Sequence, residues 1–367
     1  MTTDSMVLER PQTTGVRDGI IDSDIHPSPR HGVASLRPYI AQRWWDHLQV
    51  YGDPHNGPYA TLYAYPRYMP ATARRDAWPE DGLPGSDLDL MRRQHLDPNN
   101  VALGILEPLG FGHTARNLDL AAAICAGVND WQIDEFVEKE PRLMASVMIA
   151  PEDPLAAAAE IDRCAANKAF AQVQLPSITR EPYGARRYWP IFEAAARNNL
   201  PIGLHVGGPT GSRTASGWPS YYNEEHFSLV ASMQAQVTSL ALEGVFEHFP
   251  SLKVMMIEGG LAWSIPLRER LDKLWHKMKS ETPDCKRPPS DYIRESIYFS
   301  TQPVEEPDDP NDLAVIFGQL GWDRIVYASD YPHWDYDDPK YAFKGEMPDD
   351  KMALVMRENA LGFYRLP

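Results

Sequence analysis

Beyond residue 100 the chain alternates short apolar runs with longer stretches in which alanine and leucine recur at helical spacing. The runs are VALGILEP (101–108), LMASVMIAP (143–151), FAQVQLPS (170–177), PIGLHVGG (201–208), LKVMMIEGG (252–260), IYFSTQPV (297–304) and RIVYASDYPH (324–333). Each is the length of a strand buried on both faces. Between them lie amphipathic segments such as NLDLAAAICAGVNDWQIDEFVEKE and PLAAAAEIDRCAANK, which suit helices packed on a sheet. Upstream, GIIDSDIHPSPR (19–30) places Ile20, Ile21 and Ile25 among Asp22, Asp24 and His26 and stops at a proline. Alternation of this kind predicts a strand whose polar side chains share one face, with Asp22, Asp24 and His26 in line. Strand and helix alternate eight times, which predicts an α/β chain folded as a (β/α)8 TIM barrel.

The spacing is broken once. Residues 27–100 form a long insertion after the first strand, rich in aromatics and prolines, and its aromatic content argues against disorder. It is expected to be a lid or an oligomer contact. Residues 1–18 are polar and are expected to form a flexible segment, so that 19–367 make a single barrel domain.

Charge narrows the partners. Fifty-one acidic against 35 basic residues give a formal net charge of -16, which disfavours nucleic acid and anionic membrane surfaces. No run approaches the roughly 18 apolar residues of a membrane span. The N-terminus lacks a signal-peptide core, and the three cysteines, Cys125, Cys164 and Cys285, fit neither a disulfide framework nor a zinc ribbon. A soluble, cytoplasmic protein acting on a small molecule is expected.

In such a barrel the chemistry lies where the strands end. The first strand ends in Asp24 and His26, the fifth contains His205, the sixth ends in Glu258 before two glycines, and the eighth ends in Asp330. Singly, each has a plain structural reading: His205 as a hydrogen-bonded core residue, Asp330 as an Asx turn. Together they converge on one rim, where a divalent cation explains carboxylates that otherwise repel each other. His226 and His333 follow the fifth and eighth strands and are candidate acids, bases or substrate contacts. Arg180 and Arg213 can bind a substrate carboxylate, although surface salt bridges are as good a reading. Trp44, Trp45, Tyr63, Tyr65, Tyr68, Trp218, Tyr221, Tyr222, Trp263 and Trp334 suit a planar or cyclic substrate, with packing between lid and barrel as the plainer role.

IDSDIHP, PIGLHVGG, GVFEHFPSLKVMMIEGG, RIVYASDYPHWD and ENALGFYRL together resemble the amidohydrolase-related (amidohydrolase 2) family of metal-dependent barrel hydrolases and decarboxylases, the group around aminocarboxymuconate semialdehyde decarboxylase. The resemblance implies metal ligands at Asp24, His26, His205 and Asp330, and a homodimer or higher homo-oligomer. No lysine ends FAQVQLPS, so it implies one metal ion rather than a bridged pair. Zinc, manganese or iron would each suit the donor set. Decarboxylases of the group commonly carry histidine where this chain has Glu258. With Glu258 and Asp330 as catalytic carboxylates, the first expectation is therefore a hydrolase that attacks a C–N, C–O or C–C bond with metal-activated water. The alternative is non-oxidative decarboxylation of an aromatic or unsaturated acid. A barrel without catalysis, acting only as a binding protein, comes third.

Overall fold

In a computed structural model the chain is described over residues 19–52, 73–110, 115–207, 217 and 219–366. Eight strands follow one another around a single sheet in chain order, every neighbouring pair parallel. They are β1 (Ile20–Ile25), β2 (Val101–Leu106), β3 (Leu143–Met148), β4 (Phe170–Pro176), β5 (Ile202–His205), β6 (Val254–Ile257), β7 (Ile297–Ser300) and β8 (Ile325–Val326). A bridge from Ile25 to Tyr331, with hydrogen bonds from Ser23 N to Tyr327 O and from His26 N to Tyr331 O, closes the ring. The expected (β/α)8 barrel is therefore the fold.

The eighth strand is much shorter than the apolar run that predicts it. Past Val326 the chain leaves the regular ladder, and its backbone is satisfied by β1 and by side chains instead: Ala328 N donates to Thr301 Oγ1 and Ser329 N to Asp22 Oδ1. That departure frees the segment carrying Asp330 to turn across the barrel mouth.

Alternation along the strands divides the core in two. Ile21, Leu103, Ile105, Met144, Met255, Ile257 and Val326 fill the barrel interior, closed from below by Phe363 and Tyr364 of the C-terminal segment. Val147, Val173, Leu175, Leu204 and Met256 face outward against the helices. A side chain such as Ile21 or Ile257, with no exposed surface, contributes about 1.5–3 kcal/mol by leaving water. The helices start where the sequence provides caps. Asn117 accepts from Leu120 N at the head of Leu118–Gln132, and Asp153 accepts from Ala156 N at the head of Pro154–Ala165, whose first position is the proline that needs no donor.

Of the long insertion, residues 53–72 lie outside the described residues, as do Tyr63, Tyr65 and Tyr68, and so does the N-terminal segment 1–18. Its described parts pack on the flank of the barrel. Leu36, Ile40 and Leu48 join Ile124, Val128 and Trp131 in one cluster, with Trp44 and Trp45 against it, so these two tryptophans serve packing. The chain returns to the rim at Ala73, which bridges to His333. Gly85 then crosses close above the first strand's end: a Cβ there would lie 2.2 Å from His26 O, and its φ is +78°. Among the described residues no helix is long and apolar enough to cross a membrane.

At the lower face one carboxylate ties the end of the insertion to β3. Glu140 accepts from Arg92 Nε and Arg142 Nε, each at 2.8 Å, and is buried. Burial alone would raise its pKa, but the hydrogen bonds from Arg142 and Arg92 outweigh it and hold the group at about 2, against an ordinary 4.5. A depressed carboxyl stabilises the fold above its unfolded pKa and loses that contribution as pH falls toward the folded one. Glu140→Gln should lower the unfolding free energy at pH 7 by about 2–3 kcal/mol. Denaturant titrations at pH 7 and pH 3 check this: the gap from wild type should narrow at the lower pH, and equal gaps would rule the linkage out.

Candidate metal centre

Four strand ends deliver the polar side chains. In β1 the pairing with β2 is irregular between Asp22 and Ile25, so the three acidic and imidazole groups do not share one face. Asp24 and His26 turn into the barrel mouth. Asp22 is diverted to a buried network, accepting from Ser329 N (2.9 Å) and Ser329 Oγ (2.6 Å) and facing His95 Nε2 at 2.6 Å. The alignment of all three expected from alternation is thus corrected by one irregularity.

His205 ends β5. Glu258 and Asp330 reach the site by a different device. Ile257 already points into the barrel, so strict alternation would send Glu258 outward. Its backbone instead adopts φ +59°, and Asp330 adopts φ +61°, the left-handed region that non-glycine residues seldom occupy. Both carboxylates are thereby swung inward and buried.

The ligand-type atoms of Asp24, His26, His205 and Glu258 lie within 4.8 Å of one another, as do those of His26, Glu258, Asp330 and His333. His26 Nε2 is 2.7 Å from Asp330 Oδ1 and 3.1 Å from Asp24 Oδ1. His205 Nε2 is 2.9 Å from Glu258 Oε2 and 3.8 Å from Asp24 Oδ2. Each ring's other nitrogen is spoken for: His26 Nδ1 faces Glu107 O at 2.7 Å and His205 Nδ1 faces Val206 O at 2.6 Å. A carbonyl only accepts, so in both rings Nδ1 carries the hydrogen and, in the neutral ring, Nε2 presents a lone pair to the carboxylates. Among the described residues, neither Nε2 nor either oxygen of Asp24 has a hydrogen-bond partner, although all are buried.

Lone pairs facing lone pairs at these distances need protons or a metal cation between them. Burial pushes the carboxyls of Asp24 and Asp330 well above the usual range, and the neighbouring Glu258 adds to it in both. Burial would lower the pKa of His205, but the facing Glu258 outweighs it and lifts it to about 10. His26 is driven down by burial, then by His333 and His205. Excess negative charge and unpaired donor atoms fit one divalent ion, and the Nδ1–H bonds to carbonyls are the outer contacts that orient ligand imidazoles.

Around this cluster the other candidates separate. His333 faces Asp330 Oδ1 through Nδ1 at 2.5 Å and stacks on His26 with centroids 4.4 Å apart. His226 stands at the accessible edge, Nδ1 3.9 Å from Glu258 Oε1 and Nε2 3.2 Å from Asp335 Oδ2. Trp334 and Tyr222 flank His226, whereas Tyr221 is largely exposed. Arg180 is not brought to the cluster: its backbone N donates to Glu152 Oε1 and its exposed guanidinium lies 3.7 Å from Glu152 Oε2. Arg213 and Trp218 lie outside the described residues.

Sequence reasoning missed several participants. Asp335 pairs with His226, Gln302 donates through Nε2 to Asp330 Oδ2 at 3.2 Å, and buried Glu107, raised by burial to about 8, receives a hydrogen bond from Gln172. Asp335 stands in RIVYASDYPHWD itself, and Glu107 and Gln302 each fall in a predicted strand, so their position was a signal. His95 carried none.

The Amidohydrolase family model matches residues 21–366. The chain belongs to that family. Among curated relatives of this amidohydrolase-family protein, gamma-resorcylate decarboxylase of Polaromonas sp. (strain JS666) is 24% identical over 226 residues, covering 57% of this chain and 66% of the relative. Gamma-resorcylate decarboxylase of Rhizobium sp. (strain MTP-10005) is 22% identical over 308 residues, covering 77% and 92%. Among solved structures, 5-carboxyvanillate decarboxylase from Sphingomonas paucimobilis aligns with TM-score 0.68 at 20% identity, over 95% of this chain and 99% of that one. Dihydroxybenzoic acid decarboxylase from Polaromonas sp. JS666, solved with manganese and 2-nitroresorcinol, aligns with TM-score 0.66 at 18% identity, over 95% and 97%. These relatives overturn the expectation of a hydrolase: they are decarboxylases, and Glu258 is no reason to place this amidohydrolase-family chain apart from them. The physical reason is that one donor set serves either reaction, so a carboxylate beside the ion does not select hydrolysis.

Glu258 holds its left-handed backbone at a cost of about 1–2 kcal/mol. Glu258→Gly should therefore leave metal-free protein as stable as wild type or about 1 kcal/mol more stable, the reverse of the usual loss on truncating a buried side chain. Thermal unfolding in chelator checks it. A fall of more than 2 kcal/mol would count against strain at this position.

Proposed function

We propose that this amidohydrolase-family protein is a metal-dependent, non-oxidative decarboxylase of an aromatic hydroxy acid, with Asp24, His26, His205 and Asp330 as the residues that hold the ion. Metal dependence is supported by the four buried, unpartnered ligand atoms of Asp24, His26 and His205 that converge beside Asp330. The reaction is supported by the decarboxylase relatives. When bound, the ion would supply the positive charge that receives a substrate carboxylate and an adjacent hydroxyl in a site otherwise rich in carboxylates.

The protein's own groups do the rest. Asp24 and the two imidazoles are immobilised by strand ends and carbonyl contacts, so the acid is received in one orientation. Loss of carbon dioxide leaves an electron pair on the ring carbon, which must gain a proton. The carboxyls flanking the mouth are Asp330, held by His333 and Gln302, and Glu258, whose N donates to Ser300 Oγ. These two are proposed as the catalytic pair. Trp334 and Tyr222 supply flat apolar surface at the entrance for a planar ring. A homo-oligomer is part of the same reading, supported by the exposed Val50 and Tyr51 in the insertion, and three free, buried cysteines are in keeping with the cytoplasm.

The test pairs elemental analysis with carbon dioxide release. Purified protein should carry about one equivalent of a transition metal, lost in Asp24→Ala and His205→Ala and retained in Glu258→Gln. Manganese-loaded wild type should release carbon dioxide from 2,6-dihydroxybenzoate or 5-carboxyvanillate, and all three variants should fall by at least about 100-fold. Full metal content with no carbon dioxide from any ortho-hydroxy aromatic acid would overturn the reaction. Absence of metal after reconstitution of folded protein would overturn the site.

A further inference from the structure

Decarboxylation consumes a proton. The bond between ring carbon and carboxylate breaks, its electron pair remains on the ring carbon and forms a C–H bond, and neutral carbon dioxide leaves. One proton must enter the site from water in every turnover. The catalytic carboxyls are poorly placed to collect it, since Asp330 has no exposed surface and Glu258 is 8% exposed.

His226 links that interior to solvent. It stands on the short helix Tyr222–Ser228, and its side chain is 20% exposed. Its two nitrogens face opposite ways: Nε2 lies 3.2 Å from Asp335 Oδ2, and Nδ1 lies 3.9 Å from Glu258 Oε1, beyond hydrogen-bond reach. Asp335 accepts Nε2–H and so sets the tautomer, leaving Nδ1 as the edge turned toward Glu258. Aromatic walls limit the ring's swing. Tyr222 stacks on it at 5.5 Å and 27°, Trp334 lies 6.0 Å away, and Trp334 Nε1 donates to Tyr222 OH.

We propose that His226, positioned by Asp335, is the station through which the proton consumed in each turnover passes from solvent into the site. The inference rests on the decarboxylase reading. The proton moves from water or a buffer acid to His226, then across the gap at Nδ1 to the group that has protonated the ring carbon, and His226 returns to its neutral form. The charged groups facing the ring are Asp335, Glu258 and Glu225, with His333 opposing them. Burial would lower its pKa, but Asp335 and the neighbouring carboxylates outweigh it and raise it above the ordinary 6.5, which keeps a proton available near neutral pH. A merely structural ion pair would need neither the second nitrogen aimed inward nor partial exposure.

The experiment is rescue by small acids in manganese-loaded enzyme. His226→Gln should retain its metal, keep KM within about two-fold and lose roughly 100-fold in kcat in dilute, bulky buffer. Imidazole at tens of millimolar should restore kcat by about ten-fold or more in the variant and leave wild type unchanged. Asp335→Asn, a second variant independent of the first, should show a smaller loss rescued in the same way, with its pH–kcat profile shifted. Wild-type kcat in His226→Gln, or a loss that buffer and imidazole do not move in either variant, would overturn the relay while leaving the decarboxylase reading intact. No carbon dioxide from wild type itself would overturn that reading and the relay with it.

Discussion

The confrontation of unpaired electron pairs at the barrel mouth is the constraint on which the rest of the structure turns. Two imidazoles, oriented by carbonyl contacts at Nδ1, aim their remaining nitrogens at carboxylates 2.7–3.1 Å away, out of solvent and, among the described residues, without a hydrogen bond. In a low-dielectric interior such an arrangement is costly unless a cation or protons fill it. The barrel tolerates it because the cost is spread over rigid supports: four strand ends, two left-handed backbone turns and a floor of close-packed Ile21, Ile257 and Val326. A looser scaffold would let the carboxylates rotate apart.

Asp22 shows how this rigidity is achieved. It binds the Ser329 backbone and hydroxyl, faces His95 from the insertion, and accepts from Asp24 N. One buried carboxylate therefore fixes the first strand to the last and anchors the insertion to both. His95 is held in turn beside Tyr336, whose hydroxyl accepts from Asn99. Side chains that never reach the site thus set the spacing between Asp24 and Asp330.

Much of this was legible in the sequence, for a physical reason. Strands buried on both faces leave long apolar runs, so the eight strands and their order could be read, and polar residues at their ends were conspicuous against them. What escaped depends on backbone geometry that a period of two does not encode. Asp22 and Asp24 have the same parity, and an irregularity in β1 sends one to a structural network and the other to the mouth. Glu258 sits on the outward parity and reaches inward because its backbone is left-handed. His95 joins through tertiary contacts alone. The reaction escaped for a chemical reason, since one ion and one set of carboxylates serve two kinds of bond cleavage.

The joining of β1 to the segment after β8 also bears on how the protein comes into being. Asp22 and Ser329 are separated by 307 positions, and Asp24 and Asp330 by nearly as many. During synthesis the first strand emerges with Asp24 and His26 long before the residues that complete their surroundings, and domains of this topology fold as units. A nascent chain therefore has half of the proposed donor set and no enclosure. The donor set of the proposed centre is complete only once the ring shuts, so binding of an ion there would follow closure.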